Sequence, residues 1–352
     1  MATAWLSQSR PLQLRGNMAA AAVKAKAQWG RSLWASLFAG SKPASESRAG
    51  VPVQGRRERK DIPRLEPFAL LRLHVLENSQ SAAGILFGQN RRWLRAAPVQ
   101  DILRLSFGFC MIPHPMKAKK GGEDACFVGF NCAGVADGVG GWASQGVDAG
   151  QYSRMLLKHA KTALLERENP EMRAVVATAA ERTQVKGSAT VCLLFLKGEI
   201  CYAINLGDSG FLLLRSDEQG PRVVVRSKPQ QHDFNTPYQL GCNLDTAADA
   251  EEYFFKVRRG DVVVLATDGL FDNVYDEDIA REAFARDEPQ ARADHLARFA
   301  HNTARMQNSR TPFAEAYSQL SGTLMTGGKM DDVSVIVANV LSLDIDEVPM
   351  TG

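Results

Sequence analysis

Before Glu46 the chain has no acidic side chain, although Arg10, Arg15, Lys24, Lys26, Arg31 and Lys42 all precede it. The net charge of only +3 therefore belongs largely to the N-terminus, and the near-neutral remainder offers no bulk electrostatic case for nucleic acid. None of the six cysteines forms a C-x-x-C pair, and most stand in apolar runs such as Val191-Cys192-Leu193-Leu194. That pattern argues against a disulfide framework or a zinc site and for free core thiols in a reducing compartment. No apolar run reaches the roughly 18 residues needed to span a membrane. Gly134 to Gly141 does not match G-x-G-x-x-G in register, and no βαβ unit surrounds it, which argues against a dinucleotide site.

What is present divides the 352 residues into unlike parts. Residues 1 to 60 are rich in Ala, Ser and Arg, with Val23, Ala27, Trp34 and Phe38 close to one helical face. This is the composition of an organelle transit peptide followed by a linker; the alternative is a basic tail with no address. The tryptophan-containing amphipathic stretch favours the mitochondrion, with the plastid as alternative. Residues 61 to 105 form an N-terminal extension in which Phe68–Leu76 and Ile85–Leu94 are short helices or part of the leader. From 106 to 341 short β-branched runs are bounded by Gly and Asp, predicting strands over 126–130, 132–136, 189–196, 200–205, 211–215, 223–226, 253–257, 262–266 and 333–340. Helical spacing is expected over 150–167, 171–183, 276–286, 289–307 and 309–320. Residues 342 to 352 are a tail. Without regular βαβ alternation, the expected fold is α+β: a two-sheet antiparallel β-sandwich flanked by α-helices.

Acids recur at the ends of these strands. Asp137 follows Gly134-Val135-Ala136, Asp268 follows Val262–Thr267, Asp331-Asp332 precede Val333, and Glu123-Asp124 precede Ala125-Cys126-Phe127. A single Asp-Gly is ordinarily a turn. Four apolar strands each ending in carboxylate are harder to explain so, because a carboxylate beside a core is costly to desolvate unless paired or bound to a cation. Oxygen donors without Cys or His suit Mg²⁺, Mn²⁺ or Ca²⁺. Gly138 lets the backbone turn tightly against a ligand.

In order along the chain, Gly122-Glu123-Asp124, Val135–Trp142, Gly187–Thr190, Leu206–Gly210, Ala266–Asn273 and Asp331–Ser334 resemble the motif series of the protein phosphatase 2C (PPM) family. Pro113-His114-Pro115, Gln230–Pro237 and Thr326–Lys329 are similar to its organellar branch in particular. The resemblance implies a monomeric serine/threonine protein phosphatase acting on phosphoproteins. It would hydrolyse phosphomonoesters by attack of a water bridging two Mn²⁺ or Mg²⁺ ions. It also implies metal ligands: Asp137 between both ions, the Gly138 carbonyl, Asp268 and Asp331 at one ion, and Glu123 and Asp124 at the other, partly through water. Asp208 would lie in a mainly structural turn. Two departures stand out. Many relatives carry His after the Asp-Gly, where this chain has Val139; His114 and His232 are the substitutes on offer. Many carry a phosphate-clamping Arg before the Glu-Asp pair, where Lys119 has the equivalent spacing. A fold that has lost catalysis and serves as a binding module is the competing reading, opposed by the intact Asp137, Asp268 and Asp331.

Overall fold

The computed structural model describes residues 102–166, 169–241 and 245–342. The expected leader over 1–60, nearly all of the 61–105 extension and nearly all of the tail lie outside them.

Ten strands form two antiparallel sheets. The first sheet has the order β1 (Leu103–Ile112), β12 (Val333–Ser342), β11 (Val262–Ala266), β6 (Gly210–Asp217), β7 (Gly220–Arg226). The second runs β10 (Glu251–Lys256), β5 (Ile200–Leu206), β4 (Val191–Lys197), β3 (Cys132–Ala136), β2 (Ala125–Gly129). Between β7 and β10 lies a small hairpin, β8 (Gln231–Asp233) with β9 (Thr236–Pro237).

The central strands read as unbroken apolar runs because both of their faces are covered. In β11, Val263 and Leu265 point between the sheets, where they join Leu194, Ala203, Phe211 and Ile336. Val262, Val264 and Ala266 point outward, against Ile279 of α3 (Asp276–Phe284) and Leu296 of α4 (Pro289–Ala304). On the other side Val191, Leu193, Ile204 and Leu206 pack under Leu156 and Leu157 of α1 (Ala149–Leu165) and Val175 and Val176 of α2 (Met172–Arg182). The result is helix, sheet, sheet, helix. Truncating a fully buried leucine such as Leu194 to Ala would cost roughly 2–5 kcal/mol.

The last helix, α5 (Pro312–Ser321), takes a smaller part in the core, with Ala314 its single buried residue. It is held by its start. The Thr311 hydroxyl accepts from the Ala314 N–H at 3.2 Å and donates to the Gly327 carbonyl at 2.8 Å, with Pro312 opening the first turn.

All nine expected strands and five expected helices have counterparts, two strands (132–136 and 262–266) at the expected bounds and the rest with shifted ends. The boundary drawn at 106 falls inside β1, which begins at Leu103. The β8–β9 hairpin was not anticipated, being too short and polar to show as alternation.

Candidate metal centre

Strand register gathers the acids at one end of the sandwich. Ala136, the last residue of β3, lies opposite Ala125, the first of β2, so Asp137 and Glu123-Asp124 emerge side by side. Ala266, the last of β11, lies opposite Val335 of β12 and Gly210 of β6. That brings Asp268, Asp331-Asp332 and the turn carrying Asp208 to the same end. Carboxylate oxygens of Asp137, Asp208 and Asp268 lie within 4.8 Å of one another. Asp208, in its turn, thus stands beside two of the acids expected to bind metal.

The backbone around these residues is fixed. The Asp137 N–H donates to the Thr190 hydroxyl at 3.0 Å, and the Thr190 N–H donates to the Asp137 carbonyl at 2.9 Å. Gly138 is required for close approach: a Cβ there would stand 2.6 Å from the Glu123 carbonyl oxygen and 2.9 Å from the Ala149 backbone. The Gly138 N–H already donates to that Glu123 carbonyl at 3.1 Å.

The adjacent Asp331 and Asp332 have different tasks. Asp332 is buried and accepts from the backbone N–H of His114 at 2.6 Å and of Glu123 at 2.9 Å, so it ties the Glu123 loop to β12. Asp331 stays partly exposed, 3.5 Å from both Lys117 Nζ and Lys329 Nζ. Asp124 accepts from the Thr267 hydroxyl at 2.9 Å through one oxygen. Its other oxygen, like Oδ1 of Asp208 and of Asp268, is buried with no hydrogen-bond partner among the described residues.

Buried, unpartnered carboxylate oxygens on Asp124, Asp208 and Asp268, the last two in one cluster with Asp137, would be expensive in a self-sufficient structure. They are what a site for a hard divalent cation requires, and the donor set of oxygens alone fits Mg²⁺ or Mn²⁺. The titration behaviour follows the same logic. Burial and the Asp332 charge push Asp124 up to about 8. Burial and the Asp268 charge push Asp208 and Asp272 each to about 7. Burial, then Asp268, Asp124, Asp331 and Asp208, raise Asp137 well above the ordinary carboxylate range. Divalent charge among these groups would return them to the ionised form.

Two lysines are the cations the chain itself supplies. Lys329 lies 2.7 Å from Asp272 and also pairs with Asp268. Burial opposes its charge, but Asp268, Asp272 and Asp331 outweigh burial and hold the ammonium protonated. Lys117 reaches Glu123 at 2.6 Å and Asp332 at 3.3 Å. Lys119 is exposed on a single 3-10 turn, and the ion pairs with the acids go to Lys117 instead. Residue spacing selected Lys119, but the turn swings the first lysine of the run inward.

Neither histidine stands over the carboxylates. His232 pairs with Asp245 at 2.8 Å and stacks on Tyr238, ring centroids 4.2 Å apart. The His114 ring caps the Met116 N–H through Nδ1 at 3.1 Å. Asp272 stands in the Ala266–Asn273 motif with no role that sequence assigns, and nothing separates Lys117 from Lys119 and Lys120 before the turn is known.

Residues 132–341 match the family described as Stage II sporulation protein E. The chain is 41% identical over 251 residues to "Probable protein phosphatase 2C 55" of Arabidopsis thaliana, covering 68% of this chain and 52% of the relative. It is 37% identical over 264 residues to "Probable protein phosphatase 2C 26" of the same plant, covering 70% of this chain and 87% of the relative. The chain thus spans about half the length of the first of these. Among solved structures, that of the photosystem II phosphatase PBCP aligns at TM-score 0.63 and 34% identity, over 68% of this chain and 100% of that one.

Proposed function

The chain belongs to the protein phosphatase 2C (PPM) family, and from that premise we propose that it is a metal-dependent protein serine/threonine phosphatase. The observation that carries the reading is the convergence of Asp137, Asp208 and Asp268 at one sandwich end, with an unpartnered buried oxygen on Asp208 and another on Asp268. Asp137, the Gly138 carbonyl, Asp268 and Asp331 would hold Mn²⁺ or Mg²⁺, with Glu123 and Asp124 at the second ion. When bound, such ions supply an acidified water nucleophile and offset charge on the phosphoryl oxygens.

The chain's own groups bind and orient. Thr190 sets the height of Asp137, and Asp332 fixes the loop bearing Glu123. Lys117, not the exposed Lys119, is the ammonium placed to meet a phosphate as a point charge. With Val139 after Asp137-Gly138, no imidazole is offered to the leaving group at that position.

The test is turnover of p-nitrophenyl phosphate and of phosphoserine peptides with Mn²⁺, with Mg²⁺ and in chelator. Metal-dependent turnover that Asp137→Asn or Asp268→Asn lowers by about a thousandfold or more is expected, since several kcal/mol of transition-state stabilisation would go. Equal activity in chelator overturns the reading.

We further propose that residues 1–60 address the protein to an organelle, the mitochondrion first and the plastid second, and that it works as a monomer on phosphoprotein substrates. The absence of any acid before Glu46 supports the address. A reporter fused to residues 1–60 that stays diffuse in the cytosol would refute it, and sizing by light scattering tests the monomer. Among the described residues no helix is long and apolar enough to cross a membrane.

A further inference from the structure

Next to the acids lies a cavity of about 250 Å³ that the chemistry above does not use. Asp208 and Asp272 form one wall; Asp208 belongs to the carboxylate cluster as well, and Asp272 shares the Lys329 ammonium with Asp268. Four rings dominate the rest of the lining, Phe271 behind, Phe234 from the β8–β9 hairpin, and Pro312 and Phe313 from the start of α5, with the polar Gln231 and Asn235 between them. Phe234 and Phe313 face each other with ring centroids 5.1 Å apart. The Arg226 guanidinium, which also lines the space, lies 3.9 Å from the Phe271 ring centroid and bonds Asp276 at 3.1 Å, so its charge is already answered.

The apolar surface continues outward along α5. Phe313, Tyr317 and Leu320 stand at i, i+4 and i+7, one stripe of the helix. An amphipathic helix would turn this stripe to the core, yet Tyr317 is 40% and Leu320 66% exposed. The hairpin across the cavity is pinned to the catalytic end: Gln231 Nε2 donates to Asp208 at 2.8 Å. At its tip Asn235 takes a left-handed φ of 53°, which aims the Phe234–Asn235 corner at α5.

We propose that this cavity is a specificity subsite that receives an aromatic side chain of the phosphorylated segment, close in sequence to the phosphoresidue, with the α5 stripe guiding the chain beyond it. The inference rests on the phosphatase reading. The shared wall carries it: a peptide whose phosphate reaches Asp137 and Asp268 has Asp208 and Asp272 beside it and the ring-lined space directly beyond. Aromatic walls favour an aromatic occupant through edge and offset contacts. The Asp208 and Asp272 carboxylates at the inner wall disfavour an acidic one.

The test uses the full chain with Mn²⁺ and a set of phosphoserine peptides in which one Phe is moved through the three positions on either side and replaced by Ser in the control. At one or two positions Phe is expected to raise kcat/KM by about tenfold or more over Ser. In Phe234→Ser and Tyr317→Ser that ratio, taken within each variant, is expected to fall toward one. Peptide Kd from fluorescence anisotropy is read alongside. A protein that prefers the Phe peptide in binding but hydrolyses nothing sinks the hydrolase reading and leaves the cavity standing. A ratio of one at every position in the unaltered chain, or a preference that survives both variants, overturns the subsite.

Discussion

Raising the pH in a chelating buffer should weaken this fold, contrary to the habit of carboxylate-bearing proteins. The usual buried Asp is salt-bridged, ionises more easily when folded, and lends stability as pH rises. Here the direction is reversed. Asp208 and Asp272 titrate near 7 in the fold against an ordinary 3.8, and Asp124 near 8. Between about pH 4 and 8 the folded state binds more protons than the unfolded one, so stability falls as pH climbs through that window. A carboxyl displaced from 3.8 to about 7 costs the folded state about 4 kcal/mol once both forms are ionised. Asp208 and Asp272 share the Asp268 charge and the Lys329 counter-ion, so their costs do not add. From that pair alone a loss near 4 kcal/mol, and a fall in Tm of roughly 8–16 °C for a domain of this size, is expected, and Asp124 acts in the same direction. The assay is a set of thermal melts from pH 5 to 9 in chelator, repeated with millimolar Mn²⁺. The ion should flatten the curve, because it binds the ionised fold and not the unfolded chain. A metal-free Tm that holds level or rises between pH 5 and 8 would refute the account of these carboxylates.

Three further outcomes are expected. Gly138→Ala should lose about 1–3 kcal/mol in urea unfolding, through the clash with the Glu123 carbonyl and Ala149, and shift the Asp137 loop enough to weaken Mn²⁺ binding measured by calorimetry. Arg215→Met should destabilise by about 3 kcal/mol in the same unfolding assay, since Asp261 is 1% exposed and takes two 2.7 Å bonds from that guanidinium; a loss under about 1 kcal/mol would mean the Arg258 N–H suffices. Lys117→Ala should raise KM for phosphopeptides several-fold while Lys119→Ala leaves it unchanged; equal effects would return the phosphate contact to spacing alone.

The sandwich was legible because its central strands are apolar on both faces and end in Asp-Gly punctuation, as in Val262–Asp268. The carboxylates were legible because an acid against such a strand demands a partner. What escaped depended on geometry that adjacent residues share. Asp331 and Asp332 are equivalent in sequence, yet one caps two backbone N–H groups while the other faces the lysines. The lysine run around 117–120 has no periodicity to show which member turns inward. The outer-edge strand β1, which opens Leu-Arg-Leu-Ser-Phe-Gly, was not among the expected strands, and the domain boundary at 106 falls inside it. The β8–β9 hairpin has two or three residues per strand, below what patterning can detect.

Strand order has a consequence for synthesis. β12 comes last in the domain but sits between β1, the first strand, and β11. While a ribosome is still making residues 333–342, the first sheet lacks an inner strand, and β1 and β11 present open edges of the kind that pair with other chains. Asp331 and Asp332 arrive on that same closing segment. A nascent chain therefore has neither its complete acid cluster nor the Asp332 tie on Glu123 until β12 slides home. Completion of the acid cluster and protection from edge-to-edge aggregation arrive in one step, and a holdase that covers β11 during translation would delay both together.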